Sequence, residues 1–149
     1  MQEFFQLQVL PALSSAVNDD LAVLKADSIK FVHTFRNQLP KPILLATFPL
    51  LVNHLAAEST VVATYSAITL ERIIALKVAG QDVFSPQELA PFLQTLLQSL
   101  FALIKREGDD PAKLAENDPA MKSMFLFLFK KRAFFHSLFF PPTKKPSCA

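Results

Sequence analysis

The residue types that most often carry catalysis or metal binding are scarce in this sequence. His33, His54 and His136 lie far apart and have no cysteine close by, so they lack the short spacing typical of zinc ligands. Cys148 is the single cysteine, which cannot form an internal disulfide and suits a reducing compartment. We therefore predict no metal site, and we expect the histidines to lie on helix surfaces or at interfaces between helices.

Loops that bind phosphate groups are not indicated either. The 149 residues include only two glycines, whereas a phosphate-binding loop needs several glycines close together. No other combination of residues typical of an active site is present in the sequence. We predict that the protein is not an enzyme and binds no cofactor, which leaves recognition by its surface as its function.

Polar side chains that recur at helical spacing are the remaining candidates for a functional site. They fall into two groups on predicted helices, and we expect both groups to contact a protein partner. The alternatives are a solvated helix face and a salt bridge between neighbouring helices, in which Glu71 would be the acid. We expect Asn53 and His54 to turn the corner between two helices instead. The six candidate partner-binding residues are Lys30, Thr34, Asn37, Thr64, Glu71 and Arg72.

Three consecutive amphipathic helices are predicted between Leu24 and Leu76 from apolar residues at steps of three or four. The second begins near Pro42, which suits a first turn, and Pro49 should bend it. The third begins near Glu58 and carries two apolar stripes, so we expect it to contact two neighbours. The stripe of the first helix is Leu24, Ser28, Phe31, Phe35 and Leu39, and that of the second is Leu44, Phe48, Leu51 and Leu55. The stripes of the third are Val62, Tyr65, Thr69, Ile73 and Leu76, and Ala63, Ala67, Leu70 and Ile74.

A fourth helix has the clearest start signal in the chain. Ser85 is a suitable N-cap, Pro86 suits the first helical position, and Glu88 completes a capping box. Lys105 and Arg106 fall in the last turn, where positive charge is favourable next to the helix dipole. The predicted buried face is Leu89, Leu93, Leu96, Leu100 and Leu103, widened by Leu97, Phe101 and Ile104.

These helices predict an all-α fold, a HEAT-repeat solenoid of stacked antiparallel helix pairs that forms part of a superhelix. Pro42 and Pro86 begin helices that start 44 residues apart, within the roughly 40 to 47 residues of a HEAT or armadillo unit. In HEAT arrays the second helix of each pair usually lines the concave surface. The six candidate residues would therefore lie on that surface.

Charge and aromatic content change near the end of the chain. Residues 1–118 contain nine Lys and Arg against thirteen Asp and Glu, whereas residues 119–149 contain six basic residues and no acid. We divide the chain into a HEAT segment, residues 1–122, and a Phe-rich basic tail, residues 123–149, which we expect to be poorly ordered. Basic residues interrupt the apolar run of the tail after six residues, so we predict no transmembrane segment.

Three interpretations of the tail stay open. Its basic residues could form a nuclear-localisation pattern, or they could hold the chain on an anionic membrane beside the phenylalanines. The tail could also be an unselected extension, such as the product of a shifted reading frame. Nucleic-acid binding is disfavoured, because the helical part carries an excess of acid and would repel phosphate.

Several motifs of the helical part carry a family resemblance. They are LKADSIKF, FRNQLPK, PLLVNHL and LERI, followed by ELAPFLQTLLQSLF. In this order they resemble the export receptors of the importin-β family, the karyopherins. The resemblance covers roughly residues 4–122 and looks like a central fragment of a much longer receptor, while nothing from Phe125 onward is similar.

The resemblance implies a function that the spacing of residues does not reveal. It implies a parent receptor that exports importin-α from nucleus to cytoplasm as a complex with GTP-bound Ran, by surface recognition without catalysis. The expected partners are importin-α and Ran-GTP, and the expected localisation is nucleus and cytoplasm with transit through the nuclear envelope. The alternative is a helical scaffold fragment without transport activity, whose basic aromatic tail anchors it to a membrane or a partner.

Overall fold

The computed structural model describes residues 1–17 and 20–108 of the chain. Its helices and strands are α1 (Gln2–Phe4), a π-helical stretch (Phe5–Val9), α2 (Leu10–Ser14), α3 (Ala22–Phe35), α4 (Lys41–His54), α5 (Thr60–Ile74), β1 (Lys77–Val78), β2 (Gln81–Asp82) and α6 (Pro86–Gly108). The first three elements follow one another without a break and form one N-terminal helical segment.

The helices pack as pairs in two layers. α2 packs against α3, and α4 packs against α5, so that each pair joins consecutive elements. α4 also contacts α2 and α6, which places these three helices in one layer, and α3 contacts α5 in the other. This arrangement of stacked pairs confirms the predicted all-α, HEAT-like fold.

α4 lies at the centre of the stack. Its predicted stripe is confirmed, because Leu44, Phe48, Leu51 and Leu55 are all buried. The ring centroid of Phe48 lies 5.5 Å from that of Phe92 on α6, a distance typical of a favourable aromatic pair. α4 continues through its internal proline to His54. The apolar contacts of α4 with three neighbouring helices therefore make up much of the core.

The buried face of α3 differs from the predicted stripe. Leu24 is 49% exposed, and Leu39 is buried but lies in the turn after the helix, which ends at Phe35. The residues of α3 that are buried are Lys25, Ala26, Ser28, Ile29 and Val32. Of the predicted stripe, Ser28 is buried and Phe31 and Phe35 are half-buried, so the prediction was wrong at Leu24 and missed Lys25. Lys25 is fully buried, since its ammonium group donates to the carbonyl oxygens of Ala16 and Val17 just after α2.

The two predicted stripes of α5 are confirmed by its contacts with both α3 and α4. Tyr65 and Leu76 are half-buried, and Leu76 follows the end of the helix. The other predicted positions are buried: Val62, Ala63, Ala67, Thr69, Leu70, Ile73 and Ile74. A helix with neighbours in both layers needs apolar residues on two lines, which is what the spacing indicated.

A short β-hairpin joins α5 to α6. β1 pairs antiparallel with β2, with Lys77 opposite Asp82. The two residues of the turn, Ala79 and Gly80, have φ angles of 49° and 80°, as a tight two-residue hairpin turn requires. The sequence showed no strand pattern here, because strands of two residues are too short to display alternation.

The predicted capping box at the start of α6 is present. The amide of Ser85 donates to Glu88 Oε2 over 2.9 Å, and the amide of Glu88 donates to Ser85 Oγ over 3.4 Å. Lys41 Nζ at the start of α4 lies 2.7 Å from Glu88 Oε1. The hydrogen bond from Lys41 and those from Ser85 lower the pKa of Glu88 from 4.5 to about 2. One carboxylate therefore joins the starts of two neighbouring helices in the same layer.

We expect Glu88→Gln to lower the melting temperature at pH 7 by roughly 2–4 °C. The carboxylate has a lower pKa in the folded state, so its contribution is fully present above pH 4.5 and is lost as the pH falls towards 2. The difference between wild type and variant should shrink across that window, measured by circular dichroism melts. Asp27→Asn, which removes an exposed acid, is the control. A difference that is equal at pH 7 and pH 2.5 would contradict the assignment.

Two buried threonines offer a matched test of core packing. Thr69 and Thr47 are both fully buried, and Thr47 Oγ1 donates to the Ile43 carbonyl over 2.7 Å, whereas Thr69 Oγ1 has no hydrogen-bond partner among the described residues. We expect Thr69→Val to raise the free energy of unfolding by about 1 kcal/mol, because it removes an unsatisfied hydroxyl. Thr47→Val should lower it by about 0.5–1.5 kcal/mol. Urea unfolding of both variants checks the pair, and equal changes would refute the distinction.

A candidate partner-binding face on α3 and α5

The six predicted partner-binding residues lie on or beside the two helices of one layer. Lys30 and Thr34 are on α3, and Asn37 lies in the turn that follows it rather than on the helix as predicted. The other three are on α5: Thr64, Glu71 and Arg72. Because α3 and α5 pack directly against each other, the two predicted groups belong to neighbouring parts of one surface.

Lys30 connects the two helices at the middle of this surface. Its Nζ lies 4.8 Å from the ring centroid of Tyr65 on α5, within the range of a cation–π contact. It also lies 3.5 Å from Asp27 Oδ1, one turn earlier on α3. Sequence reasoning assigned Tyr65 only to a buried stripe and missed this contact. No local signal could have revealed it, because the partners are 35 residues apart.

Charged groups gather near the ends of α3 and α5. An Arg36 Nη1–H donates to the carbonyl oxygen of His33, and Arg72 Nε lies 3.8 Å from Glu71 Oε2. Burial lowers the pKa of His33 below 6.5, and the positive charges of Arg36 and Arg72 lower it further, while Glu71 opposes them. His33 is therefore neutral at pH 7. Arg72 lies in the last turn of α5, which packs directly against α3.

These contacts define how the two helices are aligned. Lys30 lies beside Tyr65 near the middle of α5, and the charges of Glu71 and Arg72 in the last turn of α5 shift the pKa of His33. Residues later in α3 therefore lie near residues later in α5, which means that the two helices are parallel. Parallel alignment of the second helices of consecutive pairs is what a stack of repeated units requires.

Access to the six residues differs. Lys30, Thr34, Asn37 and Arg72 are exposed, whereas Thr64 and Glu71 are half-buried. The exposed cations have acidic neighbours on their own helices, Asp27 for Lys30 and Glu71 for Arg72. The surface thus carries interleaved charges of both signs instead of a single-sign patch. Contact of these residues with a partner stays a prediction.

His54 has a structural position inside the stack. It is 1% exposed, and its Nε2–H donates over 2.9 Å to the carbonyl oxygen of Leu13 near the end of α2. The bond joins the last residue of α4 to the preceding helix of the same layer. This confirms the expectation of a histidine at a helix interface. Asn53 beside it is exposed on the last turn of α4.

The predictions about metal binding and membrane spanning can be compared with the structure over its described residues, and the predicted tail lies outside them. Within residues 1–17 and 20–108, no group of three or more His, Cys, Asp or Glu side chains is arranged to hold a metal ion. None of the helices described there is both long and apolar enough to cross a membrane. The tail of residues 123–149, with His136 and Cys148, lies outside the described residues, as do residues 109–122 at the end of the predicted HEAT segment.

Comparison with known proteins finds relatives over most of the chain. The family model Cse1 matches residues 1–70, which include α3 and α4 and most of α5. Exportin-2 of Homo sapiens and of Bos taurus are each 43% identical over 125 residues, 83% of this chain and 12% of theirs. The importin alpha re-exporter of Saccharomyces cerevisiae is 37% identical over 129 residues, 85% of this chain and 13% of its own length.

The relatives are therefore far longer than this chain. It spans 12% of the length of the curated exportin-2 proteins that it matches. In a solenoid each repeat contacts only its neighbours, so a segment of this size can keep the local packing of the larger protein.

We expect Arg72→Gln to raise the pKa of His33, because it removes a positive charge that disfavours the imidazolium. An NMR titration of the imidazole measures the pKa directly. Lys77→Gln, which removes a cation from the distant hairpin, is the control and should leave it unchanged. In wild type the lowered pKa means that the unfolded state binds more protons, so stability should fall as the pH drops below 6.5. An unchanged His33 pKa in Arg72→Gln would refute the described alignment of α3 and α5.

Proposed function

Because this chain belongs to the exportin-2 family, we propose that it is part of a receptor that carries importin-α out of the nucleus. The receptor would bind importin-α together with GTP-bound Ran and act by surface recognition, without catalysis. It would shuttle between nucleus and cytoplasm through the nuclear envelope. The observation that carries this proposal is the 43% identity to exportin-2 over 83% of the chain.

The names of the relatives support the export function and, for one relative, the identity of the cargo. Exportin-2 is by name an export protein, and the yeast relative is by name a re-exporter of importin alpha. A protein that exports another protein must bind and release it, and does not need to make or break covalent bonds. The proposal includes Ran-GTP because the motifs resemble this family of receptors. Such a partner would bind the nucleotide with its own phosphate-binding loop, so this chain does not need one.

The surface of α3 and α5 is consistent with reversible protein binding. The exposed candidate residues on it are polar or charged, and Lys30 and Arg72 have side chains that are 46% and 55% exposed. Transient protein–protein interfaces are no more apolar than ordinary protein surface, and their charged residues contribute mainly to specificity and association rate. We propose that the exposed members of the six candidate residues contact importin-α or Ran there.

The first experiment tests whether the chain binds at all. Purified chain is immobilised and exposed to importin-α, with and without Ran locked in the GTP state, and binding is followed by biolayer interferometry. The proposal expects importin-α to bind more tightly when GTP-locked Ran is present. The full-length relative serves as positive control. Absence of binding by this chain under conditions in which the control binds would refute the proposal that the segment itself recognises either partner.

The second experiment tests the surface. We expect the double variant Lys30→Glu/Arg72→Glu to weaken partner binding by about tenfold, or roughly 1.4 kcal/mol. The matched control is Lys77→Glu/Lys105→Glu, which changes the net charge equally at exposed positions on the hairpin and α6. It should change affinity less than twofold. Equal losses in both variants would indicate a net-charge effect and contradict a role for the α3 and α5 surface.

A further inference from the structure

Beside its buried leucines, α6 carries a second apolar stripe that is covered only in part: Ile104 packs against the core, whereas Phe101 is exposed. Leu97, Phe101 and Ile104 follow at steps of four and three residues, which places them along one line of the helix. Phe101 is 63% exposed, and Leu97 and Ile104 are half-buried. The neighbouring line of leucines is buried: Leu89, Leu93, Leu96 and Leu100.

The layering of the fold explains why part of this stripe is exposed. α2 is paired with α3, and α4 with α5, so each of these first-layer helices has a second-layer helix following it in the chain. α6 packs against α4 in the first layer, and the described part of the chain ends with it at residue 108. A helix with two apolar lines packs against two neighbours. Among the described residues, none covers Phe101, although Ile104 on the same line packs against the core.

We propose that the chain's own Phe-rich segment, residues 124–139, covers this stripe of α6. The segment belongs to the 41 residues that continue directly from Gly108. Sixteen residues separate Gly108 from Phe125 and can span up to about 50 Å, since an extended residue covers roughly 3.3 Å. Phe101 is only about 10 Å from the end of α6, at a rise of 1.5 Å per residue. The connection is long enough to return.

The chemistry of the segment matches the stripe. Residues 124–129, MFLFLF, are six consecutive apolar residues, and the segment contains six phenylalanines. Aromatic side chains bury large apolar areas and pair favourably with one another, so Phe101 is a suitable contact for them. The proposed cover concerns contacts within the chain itself and is independent of the function proposed above.

Tethering favours this segment over a second copy of the protein. A segment joined to its target by a short stretch of the same chain has an effective concentration in the millimolar range, far above a free protein concentration of a few micromolar. Two apolar surfaces in one chain should therefore meet each other before they meet another molecule.

The absence of tryptophan from the chain permits a direct test. In Phe101→Trp the indole is the only one, and its emission and its quenching by acrylamide report whether position 101 is covered. We expect blue-shifted emission and weak quenching in the full chain. Replacing Phe125, Phe127 and Phe129 with serine should increase the quenching constant at least threefold. The control is Val78→Trp on the hairpin, where the residue is 66% exposed and the serine substitutions should have no effect.

Each outcome decides the proposal. Quenching at position 101 that the serine substitutions do not change would overturn it. Protection that appears only at high protein concentration, together with a dimeric mass in light scattering, would assign the cover to a second copy and would also overturn it. A photo-crosslinker at position 101 of the otherwise unaltered chain provides a second measurement that does not depend on how the serine variant folds. Intramolecular crosslinks to residues 124–139 are expected, and crosslinks only elsewhere would refute the proposal.

Discussion

Burial of α4 between three neighbours is the constraint on which the rest of the structure depends. Its buried leucine, valine and phenylalanine side chains lie on several sides of the helix, which one partner helix cannot cover. α2 and α6 cover it within its layer, and α5 covers it from the other layer. Because most stability of a helix in a protein comes from such packing, each of these neighbours is held in place by the same contacts that bury α4.

Burying helices in a stack creates a second requirement at their ends. The last carbonyl groups of a helix have no partner within it, and a buried carbonyl without a hydrogen bond costs free energy. His54 from α4 supplies such a partner to the Leu13 carbonyl in the last turn of α2, and Lys25 from α3 donates to the Ala16 and Val17 carbonyls just after that helix. Two polar side chains in the core therefore connect the N-terminal segment to both layers. Their burial follows from the needs of the backbone and does not indicate a catalytic or metal-binding role.

The same two-layer packing creates the surface that we propose for partner recognition. α3 and α5 are separated in sequence by α4, but they become neighbours because each follows its own first-layer helix. Their parallel alignment brings Lys30 next to Tyr65, and His33 within the electrostatic influence of Arg72. A surface assembled from successive repeats can be extended by adding further pairs, which suits a receptor several times longer than this chain.

Local patterns in the sequence by themselves predicted the four helices α3 to α6, where α6 begins, and that α5 has two neighbours, but not the helical segment Gln2–Ser14. They were sufficient because helical spacing, proline and a capping box act within a few residues. The motifs likewise identified the family. The tertiary structure alone decided that Lys25 is buried while Leu24 is exposed, that α3 lies beside α5, and that a hairpin precedes α6. These features depend on carbonyls, rings and charges that distant parts of the chain bring together, and spacing along one helix contains no information about them.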